Sequence, residues 1–173
     1  MVSRKVDLIV TFAGTLPALA AKNATSTIPI VFTNVGDPVM FGLAASLARP
    51  GGNLTGFGSL TVELVSKRFE LLCELVPQAA VIALLVNPDN ERGTEQHIRT
   101  AQEAARAKGL QLNVLKASSE SEIEAAFAQL HAEALLVGDD ALFFIRRAQL
   151  VALAARHAVP AIYRGASWWR PAA

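Results

Sequence analysis

The stretch Val81-Ile-Ala-Leu-Leu-Val86-Asn-Pro-Asp-Asn90 decides the fold class. Six apolar residues in a row, without polar alternation, suit a parallel strand buried on both faces. Asn-Pro-Asp-Asn is turn chemistry, and it leads into a polar helix over Glu91–Lys108, closed by Gly109. Upstream, Val62, Val65, Phe69, Leu72 and Val76 recur at helical spacing until Pro77. Downstream, Leu110–Leu115 alternates as a strand. Ser118 and Ser119 with Glu122 resemble a capping box before a helix at Ile123–Leu130. Ala134–Val137 is a strand, Phe143–His157 a helix and Val159–Tyr163 the last strand.

The first third has the same rhythm. Strands are expected at Leu8–Phe12, Ile28–Thr33 and Leu54–Phe57, and helices at Pro17–Asn23 and Val39–Ala48. Arg49-Pro-Gly-Gly-Asn53 is a turn. Three strands before residue 60 and four after it, alternating with helices, predict a parallel α/β protein. The last ten residues, Arg164–Ala173, break the pattern and hold both tryptophans, Trp168 and Trp169.

At 173 residues the chain makes one large domain or two small ones, taking about 150 residues per domain. It is 52% hydrophobic and 18% charged, enough apolar sequence for a sizeable core and too little charge for a disordered chain. Sixteen Lys+Arg against fifteen Asp+Glu leave a net charge of +1, which argues against a nucleic-acid footprint. A single Cys excludes an internal disulfide and any multi-thiolate metal site. No apolar run is long enough to cross a bilayer, and Met1-Val-Ser-Arg-Lys-Val-Asp7 lacks the charged-then-apolar plan of a signal peptide. As written, the chain is expected to stay in the cytoplasm.

In open parallel sheets, ligands sit beyond the carboxyl ends of the strands. The loops there are Ala13-Gly14-Thr15, Asn34-Val-Gly-Asp37-Pro38, Asn87-Pro-Asp-Asn90 and Gly138-Asp139-Asp140. Each leads into a helix N-terminus, which suits a carboxylate or phosphate. Thr15, Asp37, Asn90 and Asp139 also serve as good helix caps, the bland role that competes with ligand binding. Enzyme signatures are missing: there is no dinucleotide glycine pattern and no phosphate loop, and Gly56-Phe-Gly-Ser59 is one place off a nucleophile elbow. His97, His131 and His157 have no partners at metal spacing and are expected at surface or boundary positions. Cys73 is expected as a small buried hydrophobe, Lys67-Arg68 and Arg146-Arg147 as solvated helix faces, and Phe143-Phe144 as core.

An ordered series of motifs resembles the ABC transporter substrate-binding family that includes the tryptophan-binding proteins. They are Val6–Val10, Ile28–Phe32, Gly36-Asp-Pro-Val39, Gly42–Gly56, Lys67–Leu72, Val86-Asn-Pro88 and Gln149–Pro160, over roughly residues 5–163. The resemblance implies a type I periplasmic binding fold, with two doubly wound parallel-sheet lobes closing over a small solute by hinge motion. It implies a partial, incomplete first lobe over 1–59, a second lobe over 60–163 and a divergent tail over 164–173. It implies no catalysis, no metal and no cofactor. The partners implied are a small solute, with aromatic amino acids among those of relatives, and a membrane permease. Matched by position, the ligand-facing residues are Gly14, Thr15, Asp37, Ser59, Asn87, Asp139 and Asp140. Thr15 and the helix N-termini would hold a carboxylate, and Asp37 or Asp140 an ammonium. By family the location is periplasmic or at the cell surface. An incomplete first lobe would leave sheet edges uncovered, and self-association is expected there. The alternatives are an effector or receiver-type α/β module, a small α/β enzyme and a gene remnant without function.

Overall fold

A computed structural model describes residues 6–12, 14–58 and 63–164, with the side chain of Glu63 outside the description. The chain divides into two compact units, Met1–Thr61 and Val62–Ala173.

The first unit runs β1 (Ile9–Thr11), α1 (Thr15–Ala24), β2 (Ile30–Val35) and β3 (Leu54–Gly58). The strands are parallel, in the order β1-β2-β3, with Ile9, Ile30 and Leu54 in register. Alternation along each strand sends Ile9, Ile30, Phe32 and Leu54 to one face, and the register shift between Thr33 and Val35, with Asn34 at φ 58°, brings Val35 to the same face. There they are buried with Ala18 of α1 and with Phe41 and Leu43.

Phe41 and Leu43 come from the segment expected to form a helix over Val39–Ala48. The structure has turns there instead. One helical turn does begin: Asp37 Oδ1 accepts from the N–H groups of Val39 and Met40, and Phe41 N–H donates to the Asp37 carbonyl. Gly42 then adopts φ +67°, and Leu43 and Ala44 both donate back to the Pro38 carbonyl. A left-handed glycine with back-bonding is how helices stop, so this one stops after a single turn.

The second unit runs α2 (Glu63–Leu75), β4 (Val81–Val86), α3 (Glu91–Ala107), β5 (Gln111–Lys116), α4 (Glu120–Ala128), β6 (Ala134–Val137), α5 (Ala141–Ile145), α6 (Arg147–Arg156) and β7 (Ala161–Ile162). All four strands are parallel, in the order β5-β4-β6-β7. Ile82, Leu84 and Val86 pack with Val65, Phe69, Leu72, Ala101 and Ala105 of α2 and α3. Ala83 and Leu85 pack on the other face with Ile123 and Phe127 of α4, Phe143 of α5 and Leu150 and Leu153 of α6. The unbroken apolar run of β4 is thus explained by cover on both faces. The helix expected over Phe143–His157 begins earlier and divides at Arg146, which pairs with Glu120 at 2.6 Å.

The capping box holds with a shift. Ser119 Oγ accepts from Glu122 N–H, while Glu122 returns to the N–H and hydroxyl of Ser118, at 2.7 and 3.0 Å, rather than to Ser119.

Candidate ligand-binding site

From β4 the chain first goes outward to β5, through α3, and then crosses back to β6. The strand order reverses between β4 and β6, and this is the point where open α/β sheets form a crevice beyond their carboxyl ends. The loops that meet there are Asn87–Asn90 and Gly138–Asp140. Asn87, Asn90, Gly138, Asp139 and Asp140 line a shallow surface recess there with Val86, Thr94, His97 and Phe143. It has no enclosed volume of its own, unlike the roughly 300–1,000 Å³ of a complete small-molecule pocket.

Asp140 organises the recess. It caps α5, accepting from Leu142 N–H at 2.9 Å, so the capping residue is Asp140 and not Asp139. Asn87 donates to its Oδ1 at 2.9 Å and Asn90 to its Oδ2 at 3.2 Å. Asn87 is buried; its Oδ1 accepts from Asp89 N–H at 3.0 Å, and its carbonyl accepts from Thr94 Oγ1. Gly138 N–H donates to the Leu85 carbonyl at 2.8 Å. A Cβ on Gly138 would lie 2.7 Å from that same oxygen, so the close approach of the two strand ends requires glycine. Asp139 accepts from Arg164 Nη1 at 2.7 Å, with its side chain only 10% exposed.

Two residues of this neighbourhood sit against their sequence-based expectations. Arg68 was expected on a solvated face, but is only 9% exposed and donates from Nη1 to the Val137 carbonyl at 3.2 Å. Its Nε has no partner among the described residues. His97 was expected at a surface or boundary position, but is 5% exposed and forms part of the recess wall. Burial pushes its imidazole below the ordinary value; Asp139 and Asp140 oppose this and Arg68 adds to it. Burial likewise lowers Arg68, against the pull of Asp139. Both positions were legible in helical spacing. Arg68 falls on the stripe Val65, Phe69, Leu72, and His97 on the stripe Thr94, Ala101, Ala105. His131 and His157 are exposed. Cys73 is half-buried, and burial raises its thiol, which makes it a poor nucleophile.

In the first unit, Gly14 takes the cap position of α1 with φ 111° and no side-chain cap. Thr15 is buried and accepts from Gly36 N–H at 3.4 Å, tying the loops after β1 and β2 together. Asp37 is half-buried and spends Oδ1 on the turn after β2. Ser59 and the boundary placed beside it lie outside the described residues, as do 165–173 of the tail. Among the described residues there is no cluster that could hold a metal, and no helix is long and apolar enough to cross a membrane.

Two parallel sheets, one doubly wound with its polar recess at the switch point, define a type I periplasmic-binding-protein fold. The chain belongs to the ABC transporter substrate-binding protein family, whose description it matches over residues 1–163. It is 35% identical over 129 residues to the tyrosine-binding protein of Clostridioides difficile, a match covering 75% of this chain and 36% of that relative. Among solved structures, it is similar to a conserved domain protein of Vibrio cholerae, with TM-score 0.84 and 26% identity. It shares its fold with an ABC domain of Streptococcus pneumonia in complex with L-Trp, at TM-score 0.80 and 22% identity. Each of these two covers 96% of this chain, and the chain spans 56% of each. The family is a substrate-binding and not a catalytic one, in agreement with the expectation from the motifs.

Proposed function

We propose that this chain is a solute-binding component of an ABC importer that takes a small solute, an amino acid with aromatic ones favoured, and passes it unchanged to a membrane permease. The observation that carries the reading is the recess at the β4/β6 switch point, where Asp139 and Asp140 stand side by side. A carboxylate offers about four lone-pair sites. Asp140 has three donors on it and Asp139 has the Arg164 ion pair, so acceptor capacity remains for an ammonium. A charge-assisted bond in a sheltered recess is stronger than a neutral one. The tyrosine-binding relative and the L-Trp complex favour an amino acid as the solute.

Asn87 acts by orienting Asp140. In the first unit, the N-terminus of α1 at Gly14 and Thr15 suits a ligand carboxylate. Asp37, with Oδ1 committed to its turn, is a secondary contact, and Ser59 is retained as a candidate contact. The periplasm or cell surface is the proposed location, after the family.

Thermal unfolding of the chain with a panel of amino acids tests this. L-tyrosine or L-tryptophan at a hundredfold excess over Kd is expected to add about 2.7 kcal/mol of stability, raising the midpoint. A cooperative transition that no amino acid moves contradicts the reading.

A further inference from the structure

The ligand reading leaves His97 without a role, although it lies in the wall of the same recess as both carboxylates. It projects from α3, and a Cβ built on Gly138 would lie 3.6 Å from its Nδ1. The charged groups that face it are Arg68 from α2 and Asp139 and Asp140 from the loop after β6, with Arg164 behind Asp139. Arg68 and Arg164 stay charged at every relevant pH. His97 is therefore the group of this cluster suited to change charge in acidic solution, below the ordinary imidazole value.

We infer that His97 is a positioning residue of the recess, and that its protonated form competes with a ligand ammonium for the carboxylates of Asp139 and Asp140. The inference rests on the proposed amino-acid reading. A neutral imidazole leaves both carboxylates to the ligand. An imidazolium adds a positive charge beside Arg68 and against the incoming cation. Proton and ligand binding then oppose each other, and by linkage each weakens the other by the same factor. Ligand binding near or below the folded imidazole's value releases a proton.

Calorimetric titration of L-tyrosine and L-tryptophan into the full chain decides it. Affinity is expected to hold down to the folded imidazole's value, which lies below the ordinary 6.5, and to fall by up to about tenfold per pH unit beneath it. In His97→Gln the fall over the same range is expected to be less than about twofold per unit. Should that variant fail to fold, His97→Asn replaces it. A measurement without any variant stands beside it: in buffers of different ionisation enthalpy, the binding heat of the native chain is expected to differ by the heat of the released proton. Binding with the same pH profile in native and variant chains, or with buffer-independent heat, overturns the inference and leaves the amino-acid reading standing. If neither amino acid binds at any pH, both fall together.

Discussion

Asp140 joins three donors from one loop and one helix N-terminus: the amides of Asn87 and Asn90 and the N–H of Leu142. Asp140→Ala strands them in a partly buried place and is expected to cost about 1–3 kcal/mol, read from urea unfolding. His97 carries a stability consequence of its own. Its folded value lies below the ordinary 6.5, so below 6.5 the unfolded chain binds more protons than the folded one. Stability is expected to fall as pH drops from about 6.5 towards the folded value, and His97→Gln to flatten that slope. Tyr163 has the opposite sign. Burial pushes its phenol up to about 12. Above about pH 10 the unfolded chain loses a proton that the folded chain keeps, so stability is lost from there upward. The chain contains one tyrosine, and its phenolate absorbance is expected only near pH 12 until the protein unfolds.

At the scale of elements, β4 and β6 were legible to the residue, because a doubly covered strand has a continuous apolar run between turn residues. Four site loops were legible as strand exits, and the structure brings Asn87, Asp139 and Asp140 into one recess. Arg68 and His97 were missed because residue type was weighed above position on the helix stripe. The false helix after β2 arose because Val39–Ala48 is apolar enough for a helix, while its stop signal is one left-handed glycine. Gly42→Ala is expected to cost about 1–2 kcal/mol, since φ +67° crowds a Cβ against the next carbonyl. The division of the last long helix at Arg146 had no glycine or proline to mark it. In the three-stranded sheet, alternation puts Leu8, Val10, Phe12 and Phe57 opposite the α1 face, and all four are exposed, Phe57 at 78%. Parallel sheets are ordinarily covered on both faces, and β1 and β3 are also edges. Concentration-dependent self-association is expected in sedimentation velocity, weakened by Val10→Lys. A chain that stays monomeric at all concentrations contradicts this.

At the scale of the molecule, each unit has its own core, and the polar recess belongs to the second. The family is established over residues 1–163, while the chain spans 36% of its tyrosine-binding relative and 56% of the two similar solved chains. What this chain binds therefore rests on the chemistry of its own loops. The central claim is that Asp139 and Asp140 recognise an ammonium group. The measurement that tests it most directly is calorimetric titration of the chain with L-tyrosine and, in parallel, with its analogue lacking the amino group. The account predicts that L-tyrosine binds and that the analogue binds at least about tenfold more weakly, the loss of about 1.4 kcal/mol or more expected for a charge-assisted bond. Equal affinity for the two, or binding of neither, contradicts it.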